Sequence, residues 1–314
     1  MISIVIPIYN EESLIGELLK RTVASLEQTE QDFEILFVDD GSTDNSLGLL
    51  LQAQKNDARI KMISLSRNFG HQAAYTAGID YAQGDYMTLM DGDLQDPPEL
   101  IPEMFKLLSA GDFDIVNGYR KSKTSNKPKG LFSWLFHKSF GKLSSLEDVE
   151  HIGNFSMMNK SAIAALRSLK EKTRYLPGLR HFIGFRNTTI SYKRDERESG
   201  DSMSTQKLFA LAFDAIFSFS KLPIKFCLIM GIIGIVTSFL AGIYILLSKI
   251  LELSPLGWSS TLTSIFFLGS IQLMFLGILG EYVFRIYRES QNRPIYFVRE
   301  FYSKQVKNMD NEMV

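Results

Sequence analysis

Apolar residues follow two different periods along the first 120 positions of the chain. Five short apolar runs, the first of them rich in β-branched residues, predict strands at 2–9, 33–40, 60–66, 86–90 and 113–120. The segments between them carry apolar residues at helical spacing and predict helices at 11–28, 46–54, 68–84 and 97–111. Strands that alternate with helices predict an α/β domain with a mostly parallel, Rossmann-like sheet, covered by helices on both faces.

Helix ends and strand ends are also marked in the sequence. Residues 42–44 are predicted to cap the helix at 46–54, prolines open the helix at 97–111, and Gly84 is predicted to end the helix at 68–84. A polar cluster follows each predicted strand: "YNEE", "DDGSTD", "SRNFGH", "DGDLQD" and "YRKSK". Because open α/β sheets bind ligands at the carboxyl ends of their strands, these clusters predict where a site lies.

Beyond residue 200 the pattern changes to long apolar runs. Residues 226–248 and 253–280 contain no charged side chain, and a helix crosses a hydrocarbon core of about 30 Å in roughly 20 residues. The sequence therefore predicts a membrane hairpin over 226–284, with spans at 226–248 and 258–282. The alternative is a pair of buried helices in a soluble protein, which the length of both runs disfavours.

Charges beside the two spans predict their orientation. Basic residues lie on one side of the hairpin: Lys207, Lys221, Lys225, Arg285, Arg288 and Arg293. Both ends of the chain, with the domain at 1–200, are therefore predicted to be cytoplasmic. Residues 201–225 predict an amphipathic helix in the membrane interface, and 285–314 a cytoplasmic tail. A row of small residues favours close helix packing within the hairpin or in a homo-oligomer: Gly234, Ser238 and Gly242.

Composition narrows the classes of function. The 314 residues carry a formal net charge of −1, so no overall positive field favours nucleic acid. The single cysteine, Cys227, excludes a disulfide within the chain. The sequence contains no P-loop, no dinucleotide-binding glycine motif and no Cys/His spacing typical of zinc sites. The first ten residues lack the basic region of a signal peptide, and we interpret them as the first strand.

Three carboxylates crowd the end of the fourth predicted strand: Asp91, Asp93 and Asp96. A solvated turn is one explanation. A hard cation is another, because Mg²⁺ and Mn²⁺ bind carboxylate and amide oxygens and bridge to substrate phosphates. The position at a strand end of an α/β sheet favours the cation site.

Three motifs in this order and spacing carry a family resemblance: "PIYNEE", "VDDGSTDNS" and "DGDLQDPPE". They resemble the family 2 glycosyltransferases of GT-A fold. The stretch "SRNFGHQAAYTAGIDYAQGD", the stretch "YLPGLRHFIGFR" and the predicted hairpin are similar to polyprenyl-phosphate glycosyltransferases, bacterial relatives of dolichol-phosphate mannose synthase. The resemblance extends to about residue 300.

The resemblance implies roles for individual residues. The donor nucleoside is expected to lie on Pro7, Tyr9, Asn10 and Glu11, with Val38 and Asp40 at its base and ribose. The ribose, metal and diphosphate are expected at Asp91, Gly92 and Asp93. The expected ligands of Mg²⁺ or Mn²⁺ are Asp91, Asp93 and Gln95. Arginines expected to reach phosphate groups are Arg120 and Arg197, and the catalytic set implied is Asp93, Asn154 and Arg197.

Each of four residues also has a simpler structural interpretation. Tyr9 could be a core aromatic, Asp40 a turn carboxylate, Arg120 a surface arginine and Arg197 a charge in a solvated linker. The chain also departs from the family, which commonly has "GDFRLMD" where residues 153–159 read "GNFSMMN". Asn154 and Asn159 replace carboxylates there, Ser156 replaces arginine, and Met203 replaces a lysine.

The resemblance implies a single transfer of sugar, with inversion, from a nucleotide donor, a UDP-sugar, to undecaprenyl phosphate. The reaction is expected at the cytoplasmic face of a bacterial inner membrane, where it supplies sugar for surface polysaccharide. A lipid phosphate is largely a dianion at pH 7, so no side chain need remove a proton from it. Two alternatives stay open: a glycosyltransferase with another lipid or a polysaccharide acceptor, and a non-catalytic scaffold that binds nucleotide sugars.

Overall fold

The computed structural model describes residues 1–120, 152–172, 174–192 and 258–303, together with positions 236, 240 and 243. The chain divides into two compact units, one of Met1–Asp201 with Pro294–Val314 and one of Ser202–Arg293. The predicted interfacial helix at 201–225 and Arg197 lie outside the described residues.

The described part of the first unit contains a sheet of eight strands. These are β1 (Ile2–Ile8), β2 (Phe33–Asp39), β3 (Ile60–Leu65), β4 (Tyr86–Leu89), β5 (Ile115–Arg120), β6 (Ile152–Asn159), β7 (Asn187–Tyr192) and β8 (Val298–Tyr302). Their order across the sheet is β7-β5-β6-β4-β1-β2-β3-β8. The helices described in this unit are α1 (Ile15–Glu27), α2 (Ser46–Asn56), α3 (His71–Tyr81), α4 (Ile101–Ser109), α5 (Lys160–Ser168) and α6 (Leu176–Phe182).

The five predicted strands are confirmed as β1 to β5, and the sheet is mixed, with four of the seven neighbouring pairs in the described residues parallel. Neighbouring strands run parallel from β4 through β1 and β2 to β3. In contrast, β6 is antiparallel to both β4 and β5, and β8 is antiparallel to β3. The prediction considered only strands joined by helical crossovers, which make parallel pairs. The strands β6 and β8 lie beyond the five strands on which the prediction rested.

Two hydrophobic clusters cover the two faces of the sheet. All seven residues of β1 are buried, as is typical of a parallel strand with helices on both sides. Ile2, Ile4 and Ile6 belong to one cluster and Val5 belongs to the other, as the two-residue period of a strand requires. The core therefore consists of two layers, one on each face of the sheet. The loops at the strand ends lie outside these layers, where a site can form.

Gly84 has a different role from the one predicted. Helix α3 ends at Tyr81, and Ala82 already has an extended backbone. A Cβ atom on Gly84 would lie 2.7 Å from the Ser3 nitrogen and 2.9 Å from the Met1 carbonyl oxygen. Gly84 is therefore required by close contact with β1, not by the end of the helix.

We expect Gly84→Ala to lower the free energy of unfolding by about 1–3 kcal/mol, the usual cost of forcing atoms into a packed contact. Gly16→Ala is the matched control, because a Cβ atom on Gly16 in α1 meets nothing within 4 Å. That change should be neutral or stabilising by up to about 1 kcal/mol. Thermal midpoints of the two purified variants check the prediction, and equal midpoints would contradict it.

The helix cap predicted at 42–44 is present in an altered form. Asn45 precedes α2 and makes no side-chain capping bond, but the Asp44 carboxylate accepts the N–H of Ser46 at 3.0 Å. The prolines at the start of the fourth predicted helix are confirmed, since a short 3₁₀ turn at Pro98–Leu100 leads into α4.

The described part of the second unit contains one long helix, α7 (Trp258–Ser290). Within it, Phe267–Ser290 is long and apolar enough to cross a membrane, judged by length and composition. A helix over the second predicted span is therefore confirmed, and it continues eight residues beyond the predicted end at 282. The first predicted span, 226–248, lies outside the described residues apart from three helical positions, so the hairpin stays a prediction.

Candidate active site

One edge of the sheet collects the polar clusters that follow the strands. The four parallel strands β1 to β4 end at this edge, and β5 has the same direction as β4 because β6 is antiparallel to both. The clusters after the first four strands therefore meet at one edge, as predicted from the sequence, and Arg120 at the end of β5 lies at the same edge.

The loops after β1 and β2 are joined by side-chain hydrogen bonds. Asn10, whose φ is +56°, accepts the Thr43 N–H on its side-chain oxygen at 2.8 Å and donates its own N–H to the Ser42 hydroxyl at 3.1 Å. The Glu11 N–H donates to the Ser46 hydroxyl at 3.0 Å. Asn10 and Glu11 thus have well-defined structural partners that order the edge. Tyr9 is 46% exposed, which excludes the core-aromatic interpretation.

Asp40 holds the loop that precedes α3. Its two carboxylate oxygens accept the N–H groups of Phe69 and Gly70 at 2.7 and 2.9 Å. Burial raises the pKa of Asp40, and these two bonds oppose the rise. The interpretation as a structural turn carboxylate is therefore supported, and contact with a nucleoside stays a prediction. The Val38 side chain is completely buried in the core.

Asp91 lies at the centre of a group of donors. Its Oδ1 accepts the Tyr75 hydroxyl at 2.6 Å and lies 2.9 Å from Nε2 of His71, while Oδ2 lies 3.7 Å from Nη2 of Arg120. Burial alone would raise the pKa of Asp91, but the bond and charge of His71, the Tyr75 bond and Arg120 together hold it well below its usual range. This carboxylate is therefore ionised at neutral pH. Because donors and positive charges surround its side chain, Asp91 does not lie in a freely solvated turn.

A tight turn carries Asp93 and Gln95. A Cβ atom on Gly92 would lie 2.9 Å from the Pro7 carbonyl oxygen, so only glycine allows this turn to lie against the end of β1. Leu94 has a φ of +58°, and the Gln95 N–H donates to the Asp93 carboxylate at 3.2 Å. The turn thus directly follows Asp91 and is closed by a hydrogen bond between Asp93 and Gln95.

The third carboxylate of the cluster, Asp96, belongs to a buried network that residue types alone did not predict. The Tyr192 hydroxyl donates to Asp96, and Arg120 donates its Nε to the Tyr192 oxygen at 3.1 Å and its Nη2 to Asp96 at 3.5 Å. Burial, and then the charge of Asp91, raise the pKa of Asp96 to about 6. The side chain of Arg120 is 25% exposed and held by these groups, so it is not an independent surface arginine.

The altered stretch 153–159 begins at the site and ends far from it. Asn154 lies at the start of β6, where Gln72 donates to its side-chain oxygen at 3.5 Å. Asn159 lies at the opposite end of β6, where its side chain accepts the Ala162 N–H at 3.0 Å and caps α5. Asn154 is therefore at the candidate site, and Asn159 has a structural role elsewhere.

Arg180 is a buried residue that was not predicted from the sequence to belong to the site. Its guanidinium donates to the carbonyl oxygens of Gly153 at 2.6 Å and Asn154 at 3.1 Å. Burial lowers its pKa to about 10. These bonds anchor the backbone at the start of β6, which fixes where Asn154 lies.

The side chains at this edge carry the kind of oxygen ligands that a hard divalent cation prefers. Asp91, Asp93 and Gln95 offer carboxylate and amide oxygens, which Mg²⁺ and Mn²⁺ prefer. Among the described residues, no group of three or more His, Cys, Asp or Glu side chains is arranged as a metal cage. Such an incomplete set is typical of Mg²⁺ sites in which substrate phosphates and water supply the remaining ligands.

Residues 3–167 match the family described as Glycosyl transferase family 2. The chain belongs to this family. It is 38% identical over 310 residues to "Uncharacterized glycosyltransferase YkcC" of Bacillus subtilis (strain 168), covering 98% of this chain and 96% of that protein. It is 34% identical over 301 residues to "Bactoprenol glucosyl transferase" of Shigella phage SfV, covering 95% and 98%.

A solved structure resembles part of this chain in fold. It is glucosyl-3-phosphoglycerate synthase from Mycobacterium tuberculosis in complex with Mn²⁺, uridine-diphosphate and glucosyl-3-phosphoglycerate. The TM-score is 0.50 at 17% identity, with 69% of this chain and 77% of that chain covered. At this identity the likeness bears on the fold alone. The predicted family is thus confirmed, and the mixed α/β sheet is of GT-A type.

Proposed function

We propose that this glycosyl transferase family 2 member moves one sugar from a nucleotide donor, a UDP-sugar, to the phosphate of a polyprenyl phosphate. The observation that carries the proposal is the match to a bactoprenol glucosyl transferase over 95% of this chain and 98% of that protein. A match of this extent includes both the domain with the acidic edge and the long apolar helix.

The donor is proposed to lie across the loops that follow β1, β2 and β4. Its nucleoside would lie over the edge that carries Tyr9, Asn10, Glu11 and Asp40, with Pro7 and Val38 buried beneath it. The half-exposed ring of Tyr9 supports this proposal, because an aromatic face at an ordered edge can stack on a base. Asp40 would contribute mainly by holding the backbone at Phe69 and Gly70.

The diphosphate is proposed to lie beside Asp91, Gly92 and Asp93. Asp91, Asp93 and Gln95 would hold Mg²⁺ or Mn²⁺ together with the diphosphate. When bound, such an ion neutralises negative charge that develops on the leaving diphosphate. Arg120 adds a fixed positive charge on the same side, since its guanidinium lies 3.7 Å from Asp91. Arg197 is proposed to reach the same phosphates or the lipid phosphate.

The acceptor is proposed to attack without a protein base. An oxygen of the lipid phosphate forms a bond to the anomeric carbon as the bond to the donor diphosphate breaks, which inverts that carbon. The products are a glycosyl phosphate lipid and a nucleoside diphosphate. Because the lipid phosphate is largely a dianion at pH 7, an amide at position 154 suffices to position a reactant. The ordered position of Asn154 beside Gln72 supports a positioning role.

Purified full-length protein, incubated with polyprenyl phosphate and a panel of UDP- and GDP-sugars, tests this function. One donor is expected to give the glycosyl phosphate lipid with an equal amount of nucleoside diphosphate, and polyprenol lacking the phosphate should give none. Transfer only to another lipid or to a polysaccharide would favour the first alternative function. Donor binding without turnover on any acceptor would favour the scaffold.

We further propose that the chain is a multi-pass protein of the bacterial inner membrane with both termini cytoplasmic. Ser254→Cys in a Cys227→Ser background is then expected to react with an impermeant thiol reagent in whole cells, because position 254 lies in the predicted external loop. Ser303→Cys in the same background should be protected. Reaction at position 303 with none at position 254 would show the opposite orientation.

A further inference from the structure

The segment that follows α7 returns to the sheet and lies against the loop that leads into α3. We call this loop, Ser66–Gly70, the donor-edge loop. The Ser66 N–H donates to the Phe297 carbonyl oxygen at 2.9 Å, and Arg299 donates to the Ser66 carbonyl oxygen at 2.8 Å. The rings of Phe69 and Phe297 lie 6.1 Å apart between centroids. Three contacts therefore join this loop to residues more than 200 positions later in the chain.

The pairing of β8 with β3 becomes irregular where these contacts are made. Ser64 pairs with Glu300, but Leu65 pairs with Val298, so Arg299 falls outside the regular register. A bulge of this kind redirects a side chain, and such bulges are common next to active sites. Here the redirected side chain belongs to Arg299, and it reaches the backbone just beyond the end of β3.

The donor-edge loop contacts one carboxylate of the candidate site and leads directly into the residue that contacts a second. The N–H groups of Phe69 and Gly70 supply both hydrogen bonds to Asp40. His71, the next residue, lies 2.9 Å from Asp91. A shift of the loop would therefore disturb the bonds to Asp40 and, through His71, the contact with Asp91.

We infer that Phe297 and Arg299 are positioning residues for the nucleotide part of the donor, acting through the donor-edge loop. The inference rests on the proposed function, in which the nucleotide binds at this edge. The same segment of the chain offers an internal comparison. Phe301 is 41% exposed and its ring lies 5.2 Å from that of Tyr81, near the far end of α3, whereas Phe297 is 54% exposed and lies against the loop.

The test compares Phe297→Ala and Arg299→Ala with the matched control Phe301→Ala in the full-length protein. Hydrogen exchange of the backbone amides at 66–71 is expected to speed up in the first two variants and to stay unchanged in the control. Nucleotide affinity is measured in the presence of Mn²⁺ with UDP or GDP, whichever the unaltered protein binds. The dissociation constant should rise about fivefold in those two variants, because one aromatic or charged contact no longer orders the loop. It should rise less than about twofold in the control. At saturating donor, kcat should change little, so the effect should appear in KM.

Each failure has a distinct signature. If Phe297→Ala and Phe301→Ala give the same exchange at 66–71, the strand only stabilises the sheet and the inference is wrong. The inference is also wrong if exchange increases while nucleotide affinity is unchanged. If the unaltered protein binds neither UDP nor GDP, the proposed function fails first, and the inference fails with it.

Discussion

Asp93→Ala is expected to lower turnover by about 10³-fold or more, because it removes a carboxylate proposed to hold both the cation and the donor diphosphate. EDTA should have an equally large effect on the unaltered protein, and Mn²⁺ or Mg²⁺ should restore its activity. The thermal midpoint should stay close to that of the unaltered protein, since Asp93 lies in a turn at the rim of the sheet. The measurements are kcat and KM for donor, with and without EDTA.

Asp112→Ala is the matched control for this prediction. Asp112 is exposed, and it lies next to the start of β5, at the opposite edge of the sheet from Asp93. Its replacement should leave kcat and the metal requirement unchanged. Full activity of Asp93→Ala, or full activity of the unaltered protein in EDTA, would contradict the assignment of the cation to this turn.

Arg120→Ala is expected to lower kcat by about 10²–10³-fold, the usual effect of removing one preorganised donor that faces developing negative charge. It should also lower the thermal midpoint, because Asp91 and Asp96 lose the cation that lies within 3.7 Å of both. Arg120→Lys should recover part of the stability and less of the activity, since an ammonium keeps the charge but lacks the planar fork.

Two comparisons separate this effect from general destabilisation. Asn154→Ala should cost at most about tenfold in kcat, because an uncharged side chain that only positions a reactant contributes less than a charged donor. Arg186→Ala should leave kcat unchanged, because Arg186 is an exposed ion-pair partner of Asp114 at the opposite edge. An Arg120→Ala variant with the same kcat as Arg186→Ala would exclude a role for Arg120 in the reaction.

The altered stretch at 153–159 shows how tertiary structure separates substitutions that look alike in sequence. Asn154 and Asn159 both replace carboxylates, and both belong to β6. Five residues of strand separate them by roughly 17 Å, so one lies at the site and the other caps a helix. Only Asn154 bears on the proposed mechanism, which uses the charge of the acceptor in place of a protein base.

The five strands β1 to β5 could be predicted because each contains a short stretch rich in apolar residues. A strand covered by helices on both faces must be apolar on both, and this requirement is visible in a single sequence. The strand β8 could not be predicted in this way. It is an edge strand with two charged residues, and it follows a long apolar helix, so its sequence alone does not distinguish it from a tail.

The sequence by itself determined the family, the parallel centre of the sheet, the edge at which polar residues meet and the acidic turn at Asp91–Gln95, because each depends on residues that are close together in the chain. Only the tertiary structure decided which partners those residues have. Tyr192 lies 96 positions from Asp96, and Phe297 lies 228 positions from Phe69. Contacts of this kind depend on how the strands are ordered and on exact distances between side chains, and no local pattern of residues encodes either.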